Sequence, residues 1–293
     1  MYLWLFSDTN IQDFDNSSLR QFNYHFENDF IFQTDKYYTH GNKLEWIFQN
    51  DTSKTIYNFN FKQSMYTPSH HSINYVEYKD MPYTGVAEFE VGAHKQSKSE
   101  QLSLDIGLGY TGPYSYAHES MELIHSLLPT NPQFNGWSTQ RETELLYRAA
   151  SSYRHKVVLK ESMDIIFDTS VNIGNLRSYA SGGFQIRFGE GIENDFGLHS
   201  AYSSSLNYKN LDSKEQKNIY FLFGANARYI YNDLTLQGNG VKMFHSQGSV
   251  NAGFSSQYKS LNLSFLATLE SRRFQSQDRP YFGYADIIIG WQY

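Results

Sequence analysis

The chain has no cysteine, which excludes disulfides and thiolate metal sites. Proline is scarce, at 6 in 293 residues, and charged residues make up only 18%. No apolar run reaches the ~18 residues of a spanning helix, so transmembrane helices are excluded. No GxSxG elbow, HExxH, P-loop or CxxC occurs, and several common enzyme classes lose their signature. The formal net charge is -6 with no basic stripe, so nucleic acid is not expected as a partner. An export signal is not evident in the first residues. Met1-Tyr2-Leu3-Trp4-Leu5-Phe6-Ser7 is apolar but short and without a positive start. Residues 1–17 read as a tail or the remnant of a signal.

Aromatics are abundant instead. There are 24 Tyr and 22 Phe, and aromatics are 17% of the chain. The mean hydropathy of -0.57 is too polar for a helical membrane protein. A membrane β-barrel escapes that objection, because only every second strand residue faces lipid. Period-two alternation recurs from end to end. In 101–110, Leu102, Leu104, Ile106, Leu108 and Tyr110 share one face, and Ser103, Asp105, Gly107 and Gly109 the other. The same pattern runs through 163–173, 217–228 and 261–270. Tyr281, Ala285, Ile287, Ile289, Trp291 and Tyr293 share a face of the last segment, which ends on an aromatic as the sorting strand of outer-membrane barrels does.

Segments near 19–32, 37–50, 55–66, 83–95, 99–112, 141–153, 157–175, 178–189, 216–231, 246–257, 259–274 and 281–293 give about twelve strands, an even number that can close. The expected fold is all-β: one transmembrane antiparallel barrel over 1–293, with polar turns such as 210–217. The competing reading is a soluble β-sandwich, where an apolar terminal strand would be an aggregation hazard. One segment breaks the alternation. In 115–128, Met121 and Ile124 are three apart and Leu123 and Leu127 four apart, which is helical spacing. Gly112-Pro113 precedes this helix and Pro129 closes it. Its apolar residues should pack onto the barrel and present His125 near the rim.

Three oxygen-bearing residues stand out. Asn28 and Asp29 lie inside one expected strand and Thr39 inside its neighbour, so the three can converge on one spot. Amide, carboxylate and hydroxyl groups suit a hard cation or a polarised carbonyl. Consecutive residues of a regular strand point to opposite faces, so Asn28 and Asp29 share a site only if a bulge or a backbone oxygen intervenes. From spacing alone, the competing reading of Asn28 and Asp29 is a pair of ordinary lumen and rim polar residues. His125 is a candidate general base with Glu119 and Glu122 nearby, because imidazole titrates near neutrality; the alternative is a surface helix histidine. His118, His70 and His71 read as loop residues.

Taken in order, several stretches resemble the lipid A 3′-O-deacylase family of Gram-negative outer-membrane barrels. They are Glu27-Asn28-Asp29-Phe30, Asp35-Lys36-Tyr37-Tyr38-Thr39-His40-Gly41, Met65-Tyr66-Thr67-Pro68 and Asp80-Met81-Pro82-Tyr83-Thr84-Gly85. Gly112-Pro113 with Glu119 and His125, Gly136-Trp137-Ser138-Thr139-Gln140 and Tyr231-Asn232-Asp233-Leu234-Thr235-Leu236-Gln237-Gly238 follow. The resemblance implies a membrane-embedded outer-membrane esterase, expected to act as a monomer on lipid A of lipopolysaccharide. It implies that Asp29 and Asn28 bind Ca²⁺, that Thr39 lies beside them, and that His125 activates water. Two positions depart from the family pattern. The stretch Thr130-Asn131-Pro132 has no acid where some members carry Glu after the histidine, and Met121 stands where some carry Gln. Basic residues for lipid A phosphates are thin in 69–79, where only Lys79 occurs. The runner-up function is a non-catalytic barrel, either a pore or a lipid-binding protein.

Overall fold

The computed structural model describes residues 19–32, 36–49, 55–69, 80–127, 135–201, 207, 218–238 and 240–293. Among them, the side chains of Leu19, Phe30, Ile124, His125, Leu127, Asn135 and Asn194 are not described. The expected tail at 1–17, the polar turn at 210–217, Lys79 and the Thr130-Asn131-Pro132 stretch lie outside the described residues.

Twelve antiparallel strands close into a barrel. They are β1 (Leu19–Asn28), β2 (Tyr37–Gln49), β3 (Ile56–Thr67), β4 (Thr84–Gln96), β5 (Glu100–Thr111), β6 (Leu145–Lys160), β7 (Met163–Gly174), β8 (Arg177–Glu190), β9 (Asn218–Asp233), β10 (Ser246–Tyr258), β11 (Leu261–Ser271) and β12 (Tyr281–Gln292). Neighbours in the chain pair in order, and β1 returns to β12, with Phe26 opposite Ile287. The alternation therefore has one main meaning: the apolar face of each strand lies outward and a mostly polar face lines the lumen, where Leu222, Leu266 and Ile288 form a small apolar cluster. Ile106 and Leu108 are more than 60% exposed, whereas Ser103 and Asp105 are buried. In water such a surface would aggregate; in a bilayer it is the stable arrangement.

Two boundaries differ in ways that matter: β1 ends at Asn28, short of the expected 32, and β6 runs on to Lys160 through 154–156, which the expected segments leave between two strands. Arg154 and Lys156 are buried in the lumen and His155 faces out. A basic cluster reads as a turn when both strand faces are assumed to avoid charge, but a barrel lumen welcomes it. The tight turn is at Glu161–Ser162 instead.

The lumen is filled by paired charges. His25 meets Asp286 at 2.8 Å, Lys43 meets Glu45 at 2.5 Å, and Lys62 meets Glu90 at 2.9 Å. Arg187 bridges Asp164 and Asp195. Described parts of the β8–β9 connection fold inward: Gln185 donates to the Leu198 carbonyl at 2.7 Å, and Asn23 donates to the Asn207 carbonyl at 2.8 Å. These contacts oppose the reading of the barrel as an open pore.

The opposite rim carries the long connections β3–β4, β5–β6, β9–β10 and β11–β12, and with them the helix α1 (Ala117–Leu127). Long loops mark the extracellular rim of such barrels. A 3₁₀ turn at Gly112–Ser115 leads into α1, with Pro113 in its first turn.

Candidate active site

The strand pattern decides which way each site residue faces. In β1, Gln21, Asn23, His25 and Glu27 are buried in the lumen, so Phe22, Tyr24, Phe26 and Asn28 point outward. The strand then ends. Asp29 lies beyond it, released from alternation, and is buried, with its backbone N–H 3.4 Å from the Thr39 carbonyl. Its Oδ2 accepts from the Lys36 backbone N–H at 3.0 Å. The end of the strand thus removes the sequence-level objection to two consecutive residues sharing a site.

Thr39 needs a second irregularity. The β2–β3 register shifts between Tyr38 and His40, leaving Thr39 as the inserted residue of a bulge. Tyr38 turns into the lumen, where its hydroxyl donates to Glu27 and its ring meets Tyr66 and Tyr284. Gly41 makes this possible, because a Cβ there would lie 2.0 Å from the Tyr38 hydroxyl. Thr39 itself is buried, and its hydroxyl donates to the Met65 carbonyl at 3.3 Å. His40, opposite Asn28, packs edge-on against outward-facing Phe26 at 5.1 Å.

Met65 links this corner to the helix. It is buried in one cluster with Tyr83, Ala117, Met121 and Trp137. An isolated 11-residue helix is marginal in water. Burial of Met121 alone contributes about 1.5–3 kcal/mol, so the seat on the wall holds α1. Gln63 donates to the Ser115 carbonyl at 2.8 Å beside it. At Gly85, a Cβ would sit 2.2 Å from Ser115 Oγ and 2.5 Å from Ala117 Cβ. The missing side chain lets α1 touch the outer wall. Gly85→Val should therefore lower activity by about 100-fold with the barrel intact. Assay of the refolded variant, with heat-dependent electrophoretic mobility as the fold check, tests this.

The sequence expectation placed Asn28, Asp29, Thr39 and His125 at the rim of a polar interior. The structure turns Asn28 and the seat of α1 to the outer, lipid-facing wall near the extracellular rim, where Asp29 and Thr39 are buried. The difference comes from the bulge and the strand end, neither of which simple alternation contains. His125 is on α1, one turn beyond Met121; its side chain lies outside the described residues. Glu122 Oε1 is 3.4 Å from His118 Nε2. His118, expected to be a loop residue, is on the helix and stacks on Trp137. Met121, where some family members carry Gln, is a wall-packing residue.

Among the described residues, no three His, Asp or Glu side chains are grouped to hold a metal. A site with one carboxylate completed by amide, hydroxyl and carbonyl oxygens does not need such a group.

A family model described as outer membrane protein LpxR matches residues 3–293. The chain belongs to that family. It is an outer-membrane protein and a lipid A deacylase, as the ordered motifs implied. LpxR from Salmonella typhimurium is similar in structure, with a TM-score of 0.80 and 17% identity over 92% of this chain and 99% of that one. The β-domain of the Bordetella autotransporter BrkA gives 0.46 at 10% identity, over 94% of this chain and 98% of that one. The KdgM porin gives 0.43 at 8% identity, over 92% and 98%. No curated protein matches by sequence.

Sequence reasoning missed the residues that hold this LpxR-family corner in shape. Two tyrosines before Thr39 and a glycine after His40 were a readable sign of a bulge. The contact from the β11–β12 loop gave no such sign, since its partners are 241 residues apart.

Proposed function

We propose that this deacylase hydrolyses the 3′-linked acyl or acyloxyacyl ester of lipid A at the Asn28–Asp29–Thr39 corner, with His125 as general base. The observation that supports this most is the outward direction of Asn28 and of the seat of α1. An ester of an outer-leaflet lipid approaches from the membrane side, close to the headgroup level, and not through the filled lumen. A pore or solute-binding protein would use polar groups along an open lumen, whereas here those groups pair with one another.

The donor set fits a calcium ion. Asn28 offers an amide oxygen, Asp29 a carboxylate, and the turn between them backbone carbonyls, all hard ligands. When bound, the ion would supply Lewis-acid polarisation of the ester carbonyl. The protein's own groups do the rest. Lys36 N–H fixes the Asp29 carboxylate. The Thr39 hydroxyl proton is committed to Met65, so its oxygen serves as an acceptor that orients water. His125 takes the proton from the attacking water and returns it to the sugar oxygen as the C–O bond of the tetrahedral intermediate breaks, leaving a free fatty acid and a sugar hydroxyl. α1 brings the base to the site because its Ala117–Met121 stripe is bound to the wall. The protein would work as a monomer, since one barrel carries every residue of the corner.

Mass spectrometry of lipid A tests the reading. Cells producing the protein should accumulate lipid A lacking its 3′-linked chains, and cells without it should not. Identical lipid A in both, with the folded barrel present in the outer membrane, would overturn it.

A further inference from the structure

The β11–β12 loop reaches over to the candidate site and grips it. Tyr37 is one of few described non-glycine residues with a left-handed backbone, at φ 72, a conformation unfavourable for a bulky side chain. It sits between the two halves of the site: Lys36, which binds Asp29, precedes it, and the Tyr38–Thr39 bulge follows. Something must hold it there.

Asp278 does so with both carboxylate oxygens. Oδ1 accepts from the Tyr37 hydroxyl at 2.5 Å, and Oδ2 meets Lys36 Nζ at 2.5 Å. The Asp278 backbone N–H returns a bond to the Tyr37 hydroxyl at 3.1 Å. The Tyr37 ring is buried edge-on against Phe274 at 5.5 Å and Phe282 at 6.3 Å. Burial alone would raise the Asp278 carboxyl, but the bonds from Lys36 and Tyr37 outweigh it and hold it below the ordinary carboxylate range.

The loop that carries Asp278 is itself braced. Arg273 is fully buried and donates to Asp233 at 2.8 Å and to Thr235 at 2.7 Å. Its backbone N–H donates to Gln277 Oε1 at 2.9 Å, and its carbonyl accepts from Phe244 at 2.8 Å. Asp233 also binds Arg177 and caps the Leu234–Leu236 turn. This gives the Asp233-Leu234-Thr235 stretch a purpose: it anchors the arm whose tip is Asp278.

We infer that Asp278 is a positioning residue for deacylation, clamping Lys36 and Tyr37 so that Asp29 and Thr39 keep their places. This rests on the proposed site at Asp29. The test compares Asp278→Ala, Asp278→Asn and Tyr37→Phe with Asp29→Ala and wild type, each refolded in detergent. Steady-state deacylation separates kcat from KM, and calorimetric titration with Ca²⁺ alone reads the site without turnover.

Asp278→Ala should cut kcat and Ca²⁺ affinity each by about 10-fold or more, through misplacement of groups near the chemistry, with KM nearly unchanged. Asp278→Asn, which still accepts from Tyr37, should fall between it and wild type. Wild-type kcat and Ca²⁺ affinity in Asp278→Ala, beside an inactive Asp29→Ala, would overturn the clamp alone. Full activity in Asp29→Ala would overturn the site reading and the clamp with it. If Asp278→Ala does not fold, Tyr37→Phe and Asp278→Asn decide, and wild-type values in both would overturn the clamp.

Discussion

His125→Ala should lower lipid A deacylation by about 10²- to 10⁴-fold, the usual worth of a general base. The fold should survive, because α1 is held by Ala117 and Met121 against Met65, Tyr83 and Trp137. Calcium binding should survive too, since the imidazole is not among the oxygen donors at the end of β1. Three measurements together make the case: activity, heat-dependent mobility and calcium titration. Loss of all three would mean a structural role for His125. Retained turnover would mean that another group takes the proton. His118 is the nearest rival on the same helix, but it is stacked on Trp137 and close to Glu122. His118→Ala should therefore act through the seating of α1, with a smaller effect than His125→Ala.

How much of this was legible beforehand follows from the range of each interaction. Alternation is a local property, so strands of the barrel could be read from segments such as 101–110 without any tertiary knowledge. The helix was legible for the same reason, through its spacing and its flanking prolines. The β6–β7 turn was not, because Arg154 and Lys156 look like turn residues until a polar lumen is there to receive them. The face of the site was hidden for a related reason. Tyr38 reaches the lumen only because of a bulge at Thr39, and Asp29 escapes the pattern only because β1 stops one residue earlier. The family resemblance named candidate site residues but not their direction. The least legible feature is Asp278, whose contact with Tyr37 exists only after β12 has closed the barrel beside β1.

Asp29→Ala should be about as damaging as loss of the base, but by another route. Removing the Asp29 carboxylate lowers the charge that would hold a divalent cation, and ligand charge is what sets such affinities. Without that group, the charge developing on the ester oxygen goes unstabilised, an effect of about 10²- to 10³-fold in comparable sites. Chelation of wild-type protein with EGTA should reproduce the loss, and added Ca²⁺ should restore it. Calorimetry should then show Ca²⁺ binding in wild type and in His125→Ala, but not in Asp29→Ala. That crossed pattern separates a residue that binds from one that transfers a proton. Asn28→Ala should fall on the binding side, with a milder loss, because an amide oxygen carries no formal charge. A chelated enzyme with full turnover would remove calcium from the mechanism and leave Asp29 as a buried anchor for Lys36.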